Sequence, residues 1–301
     1  GQVAGAPVEV LSDANKVDIL DTALDYIDYE KSKELRDGDA GALAWKQNVL
    51  QARSAILKPS RELAPPYPKG DEPHAGHHSR RVGLGVTANS AGGAQVVAKY
   101  RFALHDLLDA TPGYPQGGQL EFFGGELRLD PGPDPRAWIE DLAIFRVESL
   151  NPLTAFNRRL SWRIRLGYAR TRDAMCTLSG ERGCGMTVLD VGRGLTLTSG
   201  AWSFFGHLDM EAAAGNGFEA GRWFRIGAGP AAGVRWVIGQ NLVFLGEGQY
   251  RFFPLQWGRH PHGWGAKAGV RWELVRDFAW DFHTSVHALS SEVGANVFYY
   301  F

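Results

Sequence analysis

His283, Ser285 and His287 stand two residues apart near the end of the chain. Alternate residues of an extended strand share a face, so these three side chains would line one surface. A hydroxyl between two imidazoles is the raw material of nucleophilic hydrolysis, which needs a base within hydrogen-bond reach of the nucleophile. His105 followed by Asp106 is a second acid–base candidate, although neighbours in a strand point to opposite faces. The plainer reading of all these groups is polar lining of a wet surface. His74, His77 and His78 form a further cluster. No Cys stands beside them, and no metal is expected there; no cofactor is expected.

The elements that carry these residues are strands. In residues 278–287, Phe278, Trp280, Phe282, Thr284 and Val286 alternate with Ala279, Asp281, His283, Ser285 and His287. In residues 293–301, Val293, Ala295, Val297, Tyr299 and Phe301 alternate with Gly294, Asn296, Phe298 and Tyr300. One face is apolar and the other too polar for a dry core. The pattern repeats upstream. Lys99, Arg101 and His105 oppose Tyr100, Phe102 and Leu104; Arg163 and Arg165 oppose Trp162, Ile164 and Leu166. Asp209 and Glu211 oppose Phe204, Leu208 and Met210; Glu247 and Arg251 oppose Phe244 and Tyr250; Arg271 and Glu273 oppose Val270 and Trp272. Two or three ionisable groups per strand around a closed ring cannot form a dry core, because an isolated buried charge costs several kcal/mol. They can line water or pair with one another. Strands of about ten residues with this alternation suit a transmembrane β-barrel. Trp162, Trp202, Trp264, Trp272 and Trp280 lie near strand ends on the apolar face, where an interfacial belt belongs.

Composition agrees. Lys+Arg is 32 and Asp+Glu 33, which gives no attraction to nucleic acid, and the mean hydropathy is −0.23. No run of about 18 apolar residues is present, so no transmembrane helix is expected, but barrel strands bury only every second residue in lipid. The opening Gly-Gln-Val-Ala-Gly-Ala-Pro lacks the features of a signal peptide, and the chain is expected to be the rear part of a longer protein. Cys176 and Cys184 flank a Gly-containing hairpin tip. With no further Cys to complete a metal cage, a disulfide is expected, on the extracellular side.

Three regions follow. Residues 1–57 are expected to hold a periplasmic helical hairpin, with one helix over 12–35, capped by Ser12 or Asp13, and another over 41–57. Residues 58–78 are a Pro-rich linker expected to be extended. Residues 79–301 are expected to form an antiparallel transmembrane β-barrel of about twelve strands, an all-β membrane fold, with both termini periplasmic. Turns fall at 89–93, 130–134, 199–200, 214–217 and 239–241. Arg193 shares phase with Leu189, Val191, Leu195 and Leu197. A bulge at Gly192 and Gly194 is expected to turn it inward, since a lipid-facing Arg at the midplane costs about 2–4 kcal/mol.

Pro73-His-Ala-Gly-His-His-Ser-Arg-Arg-Val-Gly-Leu-Gly85 enters the first strand, and Tyr100-Arg-Phe-Ala-Leu-His-Asp-Leu-Leu-Asp109 leaves the second. With Ser149-Leu-Asn-Pro152 and Ser161-Trp-Arg-Ile-Arg-Leu-Gly-Tyr168, these resemble the C-terminal barrel region of a Gram-negative envelope family. In that family the barrel follows a periplasmic domain similar to the Lnb-type lipoprotein N-acyltransferase domain. The resemblance implies that this chain is the membrane-embedded part of a larger protein. The catalytic Cys and His of such a domain have no counterpart here, so acyl transfer falls on no residue of this chain.

Three functions compete: an outer-membrane anchor and docking platform for a periplasmic domain, a narrow anion-preferring channel, and an outer-membrane lipid hydrolase. No complete motif of an outer-membrane phospholipase is present. Lys99, Arg101, Arg163, Arg165, Arg251 and Arg271 would favour anions if unpaired. Glu121, Asp141, Asp209, Glu211, Glu247, Glu273 and Asp281 share the inner face, so a paired network that blocks the lumen is expected instead. The partners expected are outer-membrane lipid, lipopolysaccharide and a periplasmic domain or protein.

Overall fold

The computed structural model describes residues 11–61, 74, 76–90, 92–110, 112–173, 176, 183–215, 223–255 and 261–301. Most of the expected linker, including residues 62–73, lies outside them. The chain divides into two units, 1–66 and 67–301.

The first unit is helical: α1 is Asp13–Glu30, α2 Ser32–Arg36 and α3 Ala40–Ser54. Ser12 caps α1 by accepting from the Asn15 N–H, and Asp39 caps α3 by accepting from the Ala42 N–H at 2.8 Å. The single helix expected over 12–35 is broken at Lys31, which leaves the helical backbone region and donates its N–H to the Ile27 carbonyl. Val17, Ile27 and Ala42 are buried between α1 and α3, and Lys46–Asp28 and Arg53–Asp21 pair across them.

The second unit is a closed barrel of twelve antiparallel strands. They are β1 Arg81–Asn89, β2 Gly93–His105, β3 Gly118–Asp130, β4 Arg136–Ser149, β5 Ser161–Thr171 and β6 Cys184–Ser199. The rest are β7 Trp202–Gly215, β8 Phe224–Val237, β9 Leu242–Phe252, β10 His262–Val275, β11 Phe278–His287 and β12 Ser290–Tyr300. Each pairs with its neighbour in sequence, and β1 pairs with β12 through Arg81↔Tyr300 to Asn89↔Glu292. Closure leaves no edge strand with unpaired backbone groups, which is the condition for sheet in hydrocarbon. Arg81 and Tyr300 mark what we term the terminal end; the other end is distal. The disulfide Cys176–Cys184 sits at the distal end, between β5 and β6.

Alternation sets the faces as the sequence implies. Tyr100, Phe102, Phe204, Phe244 and Phe282 point outward, and Leu166 and Val270 lie half-buried in the same outward phase. All five tryptophans named above are exposed. Inside, Arg101, Asp209, Glu211, Arg271 and Asp281 are buried. Arg193 departs from expectation. β6 pairs with β5 and β7 through Gly192–Gly194 without a register shift, so no bulge forms and Arg193 stays exposed on the outer face.

Candidate functional site

The connection 106–117, which follows β2, turns into the barrel mouth instead of away from it. Its first residues build a tight turn from two carboxylates. The Asp106 carboxylate accepts the N–H of Leu108 at 2.9 Å and of Asp109 at 3.1 Å, while the Asp109 carboxylate accepts the N–H of Asp106 at 2.8 Å. Asp side chains stabilise such turns by replacing backbone acceptors.

Three wall arginines grip this turn. Arg101 of β2 donates to Asp109 at 2.5 Å, Arg81 of β1 to Asp106 at 2.7 Å, and Arg271 of β10 to both at 2.6 Å. The Tyr300 hydroxyl of β12 donates to Asp109 at 2.7 Å, and Arg235 Nε of β8 donates to the Leu107 carbonyl at 2.7 Å. Leu107 packs against Leu150, Phe205 and Leu245, so the turn also carries an apolar stopper. Burial alone would raise the carboxyl pKa of Asp106, but Arg271, Arg81 and Arg101 outweigh it and hold it well below the usual range. For Asp109 burial is likewise outweighed, by Arg101 and Arg271, against the opposing charge of Asp106.

A second layer covers the turn. Residues 76–80 were expected to belong to an extended linker and strand entrance; instead His77 is buried in the mouth, its ring 4.0 Å from Tyr300 and 4.7 Å from Tyr114 between centroids. Tyr114 donates its hydroxyl proton to the His77 carbonyl at 2.6 Å. Arg276, in the β10–β11 turn, donates to the carbonyls of His74 and Gly76, and Asp277 pairs with His78 at 2.8 Å. Burial lowers the pKa of His77, which keeps it neutral. Its Nδ1 then donates to the His78 carbonyl at 2.7 Å, and the bare Nε2 faces Asp109 at 3.6 Å.

Beyond the turn the lumen holds a cavity of about 590 Å³, floored by Asp106, Leu107 and Leu108 and reaching Arg172 and Trp264 at the distal end. Most of its charges are paired, though Glu148, which also lines it, joins no ion pair among the described residues. Arg163 meets Asp209 and Glu247, and Glu247 also meets Lys267 at 3.3 Å. Arg146 bridges Glu121 at 3.0 Å and Asp141 at 2.9 Å; Arg165 joins Asp141. Arg251 meets Glu211 at 2.5 Å and Asp190 at 3.0 Å, Lys99 meets Glu126 at 3.3 Å, and Arg271 meets Asp281 at 2.9 Å. Arg165 thus takes Asp141, one of the carboxylates expected on the inner face. Glu273 joins no ion pair, and its buried Oε1 has no hydrogen-bond partner among the described residues. Alternation marked neither Asp109 nor Arg81 nor the Tyr300 hydroxyl as clamp groups, and it set Asp106 beside His105 as an acid–base candidate instead. Asp106 and Asp109 lie past the end of an alternating strand, where phase carries no information.

The hydrolytic candidates do not assemble. His283 Nδ1 lies 3.4 Å from Asp281 and Nε2 lies 3.7 Å from Glu292, but no hydrogen bond joins Ser285 to His283 or His287 among the described residues. Successive same-face residues in a strand stand roughly 7 Å apart, too far for proton transfer. The His105 ring packs on Tyr114 at 4.8 Å with both nitrogens buried and unpartnered, and Asp106 is held by arginines instead.

Residues 70–300 match the model of a family described as a domain of unknown function, DUF7840. No curated protein matches the chain. Among solved structures, it is similar to the NanC porin at 7% identity and a TM-score of 0.43, covering 73% of this chain and 100% of that one. It is similar to the KdgM porin at 7% identity and a TM-score of 0.41, covering 73% and 99%. It is also similar to OmpT, an outer membrane protein of Vibrio cholerae, at 8% identity and a TM-score of 0.36, covering 74% and 96%. No site is carried over from these structures to this chain.

Proposed function

The chain belongs to the DUF7840 family, and we propose that it serves as an outer-membrane anchor and docking platform for a periplasmic domain, with a lumen that does not conduct. The observation that carries this reading is the turn at Asp106–Asp109, clamped inside the mouth by Arg81, Arg101, Arg271 and Tyr300. A pore needs a continuous wet path of weak sites. What supports a closed path here is the salt-bridged turn, with Leu107 set among Leu150 and Phe205.

In this reading both termini are periplasmic and the terminal end faces the periplasm. The docked domain is one similar to the Lnb-type N-acyltransferase domain. The segment 76–80, held by Arg276 and Asp277, fixes the chain where it enters the barrel and transmits the position of that domain to the wall.

Planar-bilayer recording tests it. The intact chain is expected to be silent, and the double variant Asp106→Asn, Asp109→Asn, which removes both charges gripping the arginines, is expected to open in bursts. Steady anion-selective conductance from the intact chain would replace the anchor by a channel.

A further inference from the structure

The outer face of the barrel carries an arginine in β6 with no carboxylate beside it among the described residues. Arg193 is exposed, directly opposite Trp162 of β5 and Leu208 of β7, and among the described residues it makes no hydrogen bond or ion pair. Facing hydrocarbon it would cost about 2–4 kcal/mol at the midplane and much less at the boundary.

Its surroundings say which applies. β5 ends one residue away, at Ser161, and the connection 150–160 beyond it pairs with β6 only at Pro152↔Thr196. Lipid-exposed irregular backbone does not occur within hydrocarbon. The apolar slab beside β5 therefore ends close to Trp162, and Arg193 stands at that boundary. The same connection adds exposed Arg158 and Arg159, and Phe156 is 79% exposed, a basic and aromatic composition that fits the headgroup layer. Toward the middle of the barrel Leu189, Val191 and Met210 are exposed on the same face. They make an apolar ledge on the hydrocarbon side of the guanidinium, along which an acyl chain can run.

We propose that Arg193, with Trp162 and the Arg158–Arg159 pair, forms a binding site for the phosphate of an anionic phospholipid in the leaflet at the terminal end of the barrel. Guanidinium binds phosphate oxygens bidentately and is weakly hydrated, so it gains at a headgroup what it loses in hydrocarbon. The ring of Trp162 sits beside the glycerol level, and the ledge takes the first acyl chain. The phospholipid identity rests on the terminal end facing the periplasm, because lipopolysaccharide occupies the opposite leaflet.

Native mass spectrometry of the full chain in detergent tests the site, with added phosphatidylglycerol, phosphatidylcholine or lipid A as probes. Wild type is expected to retain one phosphatidylglycerol in preference to phosphatidylcholine. Arg193→Leu is expected to lose that preference by about fivefold to tenfold, since an Arg near an anionic surface contributes about that much. The same variant is expected to keep its heat-modifiable mobility on gels and to be at least as stable as wild type in phosphatidylcholine vesicles, which excludes misfolding. Equal retention of the two phospholipids by wild type, or unchanged preference in the variant, would overturn the site. Selective retention of lipid A would place Arg193 in the other leaflet and overturn the phospholipid assignment, while conductance decides the anchor separately. A wild-type dimer lost in Arg193→Leu, without bound lipid, would make the face an interface between copies instead.

Discussion

Arg101 and Asp109 meet at 2.5 Å with their side chains almost wholly out of solvent, one in the barrel wall and the other in the turn that the wall encloses. Arg271 and Tyr300 reach the same carboxylate from strands far along the chain. A buried ion cluster of this kind stabilises only while complete, because removing one partner leaves the others as uncompensated charge.

Asp109→Asn is therefore expected to destabilise the barrel by about 3–5 kcal/mol, far more than an ordinary surface change. Tyr300→Phe, which removes one hydrogen bond and no charge, is expected to cost about 1–2 kcal/mol. Urea unfolding in lipid vesicles, followed by tryptophan fluorescence, measures both. Equal effects of the two variants would show that the charges do not govern the clamp.

The same cluster sets a pH dependence. In the folded chain the Asp106 and Asp109 carboxyls are held below their unfolded values of about 4 by the surrounding arginines, against burial and their mutual repulsion. A depressed carboxyl contributes stability that is present above the unfolded pKa and lost as pH falls through the folded one. Stability is expected to level off above about pH 5 and to decline below about pH 4. Unfolding midpoints across pH 2–8 test this: the decline should be shallower in the double Asn variant.

Gly83 has no room for a side chain. A Cβ there would stand 2.3 Å from Cε1 of Phe298, whose ring lies beneath the guanidinium groups of Arg81 at 4.2 Å and Arg271 at 4.8 Å. Gly83→Ala is expected to cost about 1–3 kcal/mol by displacing that ring. Phe298→Leu in the same chain should recover part of the loss, and thermal melts of the three variants would show it.

The disulfide closes a short loop at the distal end, with a sequence separation of 8 between its cysteines. Loop closure of that size contributes about 2–3 kcal/mol. Replacing both cysteines by Ser is expected to lower the unfolding midpoint accordingly without altering conductance, since the clamp lies at the other end. A conductance change would instead tie the distal loop to the lumen.

The barrel itself was legible because lipid and lumen impose opposite demands on successive residues. Tyr100, Phe102 and Phe244 against Arg101 and Glu247 give each strand its phase, and Asp130-Pro-Gly-Pro-Asp134 or Ser199-Gly200 mark its ends. The clamp was not legible. Past His105 the alternation stops, and Asp106-Leu107-Leu108-Asp109 looks like a connection heading into water. What turns it inward is Arg81, Arg271 and Tyr300, whose distance along the chain no local pattern encodes. Arg193 failed for the opposite reason. Its phase was correct, and the inference of a bulge treated every outward position as midplane when β5 ends one residue away.

Asp109 is held by groups from the first, second, tenth and twelfth strands. Arg81 and Tyr300 become neighbours only when β1 pairs with β12. While those two strands are apart, as in a sheet still curling toward a cylinder, Arg271 and Tyr300 stand on the opposite margin, and the turn keeps only Arg81 and Arg101 of its own hairpin. The stopper is therefore the last thing to lock, and its locking certifies that the cylinder has been joined. A barrel caught half assembled is necessarily unsealed.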